Sequence, residues 1–152
     1  MKTTTLFSAT LLATTLSLSA FAQTVDVKDA WARATVQGQM ATGAFMKLTS
    51  REGSRLVSVS TPVAGVAEVH EMKMDNNVMK MHAISGLDLP AGKAVELKPG
   101  GYHVMLMDLK MPLQKDTTIP LTLVFKDAKG VESKAEIKVP VNTAAPMAEH
   151  KH

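Results

Sequence analysis

The chain has 152 residues, with 17 Lys and Arg against 14 Asp and Glu, a formal net charge of +3 and only 4% aromatic residues. The small positive excess is scattered, without a basic run and with few rings to stack on bases, which argues against nucleic-acid binding. Sulfur is present as 11 methionines and no cysteine, so neither a disulfide framework nor a thiolate metal site is available.

The first 22 residues read as an export signal. Lys2 supplies a positive start, Leu6 to Leu18 an apolar run, and Ala20-Phe21-Ala22 a small-x-small cleavage site. Export predicts a chain that starts at Gln23, in an oxidising compartment where a free thiol would be lost to a bridge. With no cysteine near the cleavage point, a lipid anchor is not expected, and no later stretch is long enough to span a bilayer. The roughly 130 residues left suit one domain with one core, placed at residues 23–142.

Along that domain, short apolar or alternating runs recur between turn residues. The predicted strands are Val25–Ala34, Thr42–Thr49, Arg55–Ser60, Ala67–Met74, Val78–Ile84, Ala94–Leu97, Tyr102–Leu109, Ile119–Lys126 and Val131–Val139. Asp75-Asn76-Asn77 is a tight hairpin signal, Pro90-Ala91-Gly92 and Pro99-Gly100-Gly101 break the next runs, and Lys126 to Gly130 joins the last two strands. Regular spacing of this kind predicts an antiparallel sandwich or barrel, with a single helical turn near Leu113–Asp116. Residues 143–152, which carry Met147, His150 and His152, have too little apolar content to fold and read as a disordered tail.

The chemistry concentrates in two places. "VHEMKMDNNVMKMH", residues 69–82, folds back at Asn76-Asn77 and sets His70, Met72 and Met74 beside Met79 and Met81. In "GYHVMLMDL", alternation puts His103, Met105 and Met107 on one face and Tyr102, Val104 and Leu106 on the other. His103-x-Met105 is thus half of a site, and the hairpin is positioned to supply the other half. Thioethers and imidazoles without a carboxylate cluster suit Cu(I), whereas zinc favours thiolates or more histidines and calcium requires oxygens. The missing cysteine also excludes a blue-copper centre. The competing reading is that methionine is an ordinary gap-filler in cores, and Met46, Met107 and Met111 are assigned to structure. His82 lies on the face opposite Met81, and Glu68, Glu71 and Asp108 read as solvated strand positions.

At these residues the sequence resembles the PCuAC family of periplasmic copper chaperones. The family pattern is a His or Met, ten residues, a Met, twenty-one residues and then His-x-Met, met here by His70, Met81, His103 and Met105. The likeness extends through "DAWARAT", "TGAFMKL", "ELKPGGYHVMLMDLKMPL" and "IPLTLVFKD". It implies a cupredoxin-like Greek-key β-barrel or sandwich that binds Cu(I) and delivers it to the copper-site subunit of cytochrome c oxidase or its assembly factors, and it implies no enzyme. His82 stands where relatives often have Arg, and Lys115 where a Gly is common, both outside the four ligand positions. The tail resembles extensions associated with extra copper, so Met147, His150 and His152 offer a second site suited to Cu(II). A periplasmic scavenger and a metal-free β-sandwich interaction module are the alternatives.

Overall fold

A computed structural model describes residues 24–146; the expected export signal, residues 1–22, and Met147, His150 and His152 lie outside the described residues. Ten strands follow in chain order: β1 Val25–Arg33, β2 Ala41–Ser50, β3 Ser54–Ser60, β4 Ala64–Asp75, β5 Val78–Ala83, β6 Leu87–Leu89, β7 Ala94–Leu97, β8 His103–Leu109, β9 Thr118–Asp127 and β10 Glu132–Asn142. They hydrogen-bond in the order β5-β4-β8-β2-β1-β10-β9-β3-β6, with β7 on the far half of β2. The pairings are antiparallel except β1 with β10, which run parallel at Ala32–Arg33 against Val141–Asn142. The result is all-β, as the strand spacing predicts, and of the fold the resemblance implies, with one parallel pairing that the antiparallel expectation did not include.

Each long strand turns one side chain in two toward the interior. Ala44, Met46 and Leu48 of β2, Val104 and Leu106 of β8, Leu121, Leu123 and Phe125 of β9, and Val139 and Val141 of β10 close one apolar core. Met46 is fully buried there, as its assignment to structure requires. On β8 the alternation leaves His103, Met105 and Met107 on the outer face, so one strand serves both the core and a surface recess. Tyr102 departs from the expected pattern: β8 begins at His103, and Tyr102 belongs to the preceding turn and is exposed.

The Asn76-Asn77 hairpin forms as predicted, with both residues in the left-handed region (φ 49° and 63°) and Asp75 facing Val78 across the closing pair. Two further features differ from the sequence reading. β6 is a three-residue strand between Gly86 and Pro90, too short to show alternation. Around Leu113–Asp116 the chain makes a hydrogen-bonded turn, with Thr117 N–H donating to Gln114 O and Asp116 at φ 66°, in place of a helical turn.

A bulge in β1 decides which residues reach the outer face. Lys28 pairs with Lys47 and Trp31 with Phe45, three steps on β1 against two on β2, with Asp29 at φ 54°. The extra residue inverts the alternation. Trp31 then lies on the same face as Phe45, buried beside it, while Ala32 packs inward on Ala44.

The two faces of β8 predict opposite responses to substitution. Leu106→Ala should cost about 2–5 kcal/mol, because the methylenes it removes are fully enclosed. Met105→Leu should cost less than about 1.5 kcal/mol, because volume is kept at a half-buried position. Denaturant unfolding of both variants checks this; comparable losses would contradict the division of faces.

Candidate metal centre

The outer face spanning β5, β4, β8, β2 and β1 brings the sequence-predicted residues together through strand register. Across β4 and β8, His70 faces His103 and Glu68 faces Met105; across β4 and β5, Met72 faces Met81. His103, Met105, Met81 and Met72 line one recess of about 310 Å3, with Arg33, Gln39, Gly43, Phe45, Pro99 and Gly100 around it. His70 flanks it on β4, its ring centroid 5.8 Å from that of His103. His82 faces Glu71 on the opposite side of the hairpin, as its parity requires.

His103 is buried and held from behind. A turn runs from Lys98 to Gly101, with Pro99 second, Gly100 third at φ 82°, and Gly101 N–H donating to Lys98 O at 3.0 Å. Proline and then a glycine with positive φ is the type II arrangement. The turn presents the carbonyl of Gly101 to His103 Nδ1 at 3.0 Å. A carbonyl only accepts, so Nδ1 carries the proton, and in the neutral ring Nε2 is left as a bare lone pair. That nitrogen faces Met81 Sδ at 3.1 Å.

His70 shows the same logic in mirror form. Its Nε2 donates to Glu68 Oε2 at 3.0 Å, while its Nδ1 is buried and has no partner. A buried polar nitrogen without a partner costs free energy. Both imidazoles therefore have one nitrogen fixed by an acceptor and the other bare, the pattern by which outer groups orient metal-ligating histidines. Glu68 is exposed, as expected, and is also one of these outer groups. The signal for it in the sequence is its position two residues before His70 on one face of a strand.

The donor chemistry fits a soft cation. Neither His103 Nε2 nor a thioether sulfur carries a proton, so their lone pairs face each other across 3.1 Å with nothing to share. An ion held by both would lie between them, taking one lone pair from the nitrogen and one from the sulfur. Met105 adds a second thioether from His103's own face. Among the described residues, no three His, Asp or Glu side chains converge as a hard-metal cage. A larger recess of about 670 Å3 lies elsewhere, among Arg55, Glu71, Asp88, Glu96 and Tyr102. Its Arg55 is already ion-paired with Asp88 at 2.8 Å.

An aromatic wall sets the position of His103. Trp31 and Phe45 stack with centroids 4.8 Å apart, Phe45 lies 6.5 Å from the His103 ring, and the Arg33 guanidinium sits 5.6 Å from the Phe45 centroid. The Phe45 ring rests over Gly43, where an added Cβ would come within 2.8 Å of Cζ.

A family model described as "Putative lipoprotein LpqE-like" matches residues 25–141. The chain is 35% identical over 156 residues to "Putative lipoprotein Lxx21020" of Leifsonia xyli subsp. xyli, with 92% of each covered. Among solved structures it is similar in fold to the apo PCuAC domain from PmoF1, with a TM-score of 0.64 and 24% identity, over 81% of this chain and 95% of that one. It is also similar to CuI-DR1885 from Deinococcus radiodurans, with a TM-score of 0.61 and 27% identity, over 84% of this chain and 85% of that one.

Gly43→Ala tests the wall. The new methyl should push the Phe45 ring off its seat and move the His103 ring resonances in a histidine-detected NMR spectrum, with the fold retained. Unmoved His103 signals would separate the wall from the recess.

Proposed function

The chain belongs to the LpqE-like family, and from that premise we propose that it is a Cu(I) carrier of the cell envelope, holding its cargo through His70, Met81, His103 and Met105. The observation that carries this reading is the pair of bare imidazole nitrogens, His103 Nε2 against Met81 Sδ at 3.1 Å and His70 Nδ1 buried without a partner. Two imidazoles and two thioethers form a neutral, soft donor set matched to a monovalent soft ion. The description of CuI-DR1885 as a Cu(I) form supports the same cargo.

The donor set also favours hand-over. Met81 is 48% exposed whereas His103 is buried, so an acceptor's ligand reaches the thioether side first. It displaces a neutral sulfur with no thiolate to protonate, and the imidazoles release last. Ligands exchange one for another and no electron moves, so the ion leaves as Cu(I). The protein acts as a carrier and not as an enzyme, since all four donors close on the cargo and none is placed to activate a substrate.

In this reading residues 1–22 direct export and are removed, residues 23–142 form the copper domain, and residues 143–152 form a tail whose Met147, His150 and His152 capture Cu(II). The lipoprotein description of the family supports a location in the envelope. The resemblance to periplasmic copper chaperones supports a periplasmic place and cytochrome c oxidase assembly as the destination.

Anaerobic Cu(I) titration against a chromophoric chelator tests the site. Replacing His70 or His103 by Ala, or Met81 or Met105 by Leu, should each weaken Cu(I). Glu68→Ala should weaken it by about 10–100-fold through loss of His70 orientation alone. Unchanged affinity in all five variants would remove copper from the account. Transfer is tested by mixing the loaded chain, under reducing conditions, with the apo copper-binding domain of cytochrome c oxidase. Loss of copper to that domain is expected; retention, with a deletion strain sensitive only to excess copper, would replace delivery by sequestration.

A further inference from the structure

The β4–β5 hairpin extends past the sheet that anchors it. β4 pairs with β8 from Ala64 to His70, so residues 71–75 have β5 alone as a ladder partner. A two-stranded ribbon of this kind has no second layer to bury an apolar face. Yet the face continuous with the recess is lined by methionine: Met72 opposite Met81, and one register step outward Met74 opposite Met79. Met74 is 59% exposed and Met79 48%. Gap-filling, the usual role of methionine, does not account for side chains left half in water. The opposite face of the same ribbon is polar, with Glu71, Lys73, Lys80 and His82, and a Lys80–Asp75 ion pair at 3.1 Å.

Directly opposed residues on one face have Cβ atoms about 4.5–5.5 Å apart, a span that two flexible thioethers bridge to one ion. Met72 both lines the recess and begins the ladder. We propose that Met72, Met74 and Met79 form a second, weaker Cu(I) site on the hairpin, through which the ion passes between solvent or acceptor and the recess. The proposal rests on the reading of the recess as a Cu(I) site. With thioethers only and no imidazole, the outer site binds more weakly than the inner one, and the ion moves by exchange of one neutral sulfur for the next.

The test uses the purified full chain with 13C-labelled methionine methyls and Ag(I) as a redox-silent soft cation. The first equivalent should move the Met81 and Met105 methyls, and the next the Met74 and Met79 methyls, with Met147 of the tail followed by its own resonance. In the Met74→Leu/Met79→Leu variant, whose replaced side chains are half exposed, core affinity should hold while Cu(I) removal by bathocuproine disulfonate slows severalfold. Met74 and Met79 methyls that stay still in excess Ag(I), or an unchanged removal rate, would overturn the outer site. Failure of the core reading is distinct: Met81 and Met105 methyls would stay still. In that case the passage to the recess is overturned with the core site, and movement of the Met74 and Met79 methyls would mark an isolated soft-ion site in its place.

Discussion

The structure around the recess depends on one constraint, the hydrogen bond from His103 Nδ1–H to the carbonyl of Gly101. It assigns the tautomer, fixes the ring plane and turns the bare Nε2 toward Met81. Pro99-Gly100-Gly101 exists in the form it does because that carbonyl must point back at the first residue of β8. Without the turn, His103 would be free to rotate and to offer either nitrogen, and a buried imidazole would have no reason to face sulfur.

Rigid groups surround the imidazoles, and adaptable ones supply the sulfurs. Trp31, Phe45 and the turn hold His103, while Glu68 holds His70. Met81 and Met105 are unbranched side chains that adjust to the cargo. This division suits an ion that must be held and then surrendered. Replacing a thioether by cysteine would add a titrating, oxidisable ligand in a compartment where thiols are lost to disulfides. The absence of cysteine is thus in keeping with the exported location and the transfer chemistry proposed for the chain.

Much of this was legible in the amino-acid order. Alternation in "GYHVMLMDL" separates core from site on β8, and Asn76-Asn77 pins the hairpin register that places Met72 against Met81. Both signals are local, since side-chain parity and left-handed turn residues need no tertiary information. The bulge at Asp29 was not legible. A single inserted residue in "VKDAWAR" leaves the composition of the run unchanged, and only pairing with β2 reveals that Trp31 shares the face of Phe45. Glu68 is exposed, as its strand position suggests; what the amino-acid order does not show is the hydrogen bond it accepts from His70 Nε2, which depends on how the His70 ring is packed. β6 escapes a sequence reading because three residues cannot display a period of two, and the turn at Gln114–Thr117 reads as helical because the left-handed backbone of Asp116 leaves no mark in so short a run.

In the proposed site one soft ion is shared by two imidazoles and two thioethers. X-ray absorption at the copper K-edge on the full chain, loaded anaerobically with one equivalent of Cu(I), measures this most directly. A first shell of two nitrogen and two sulfur scatterers is expected. A shell of sulfur alone, or of nitrogen and oxygen without sulfur, would contradict it.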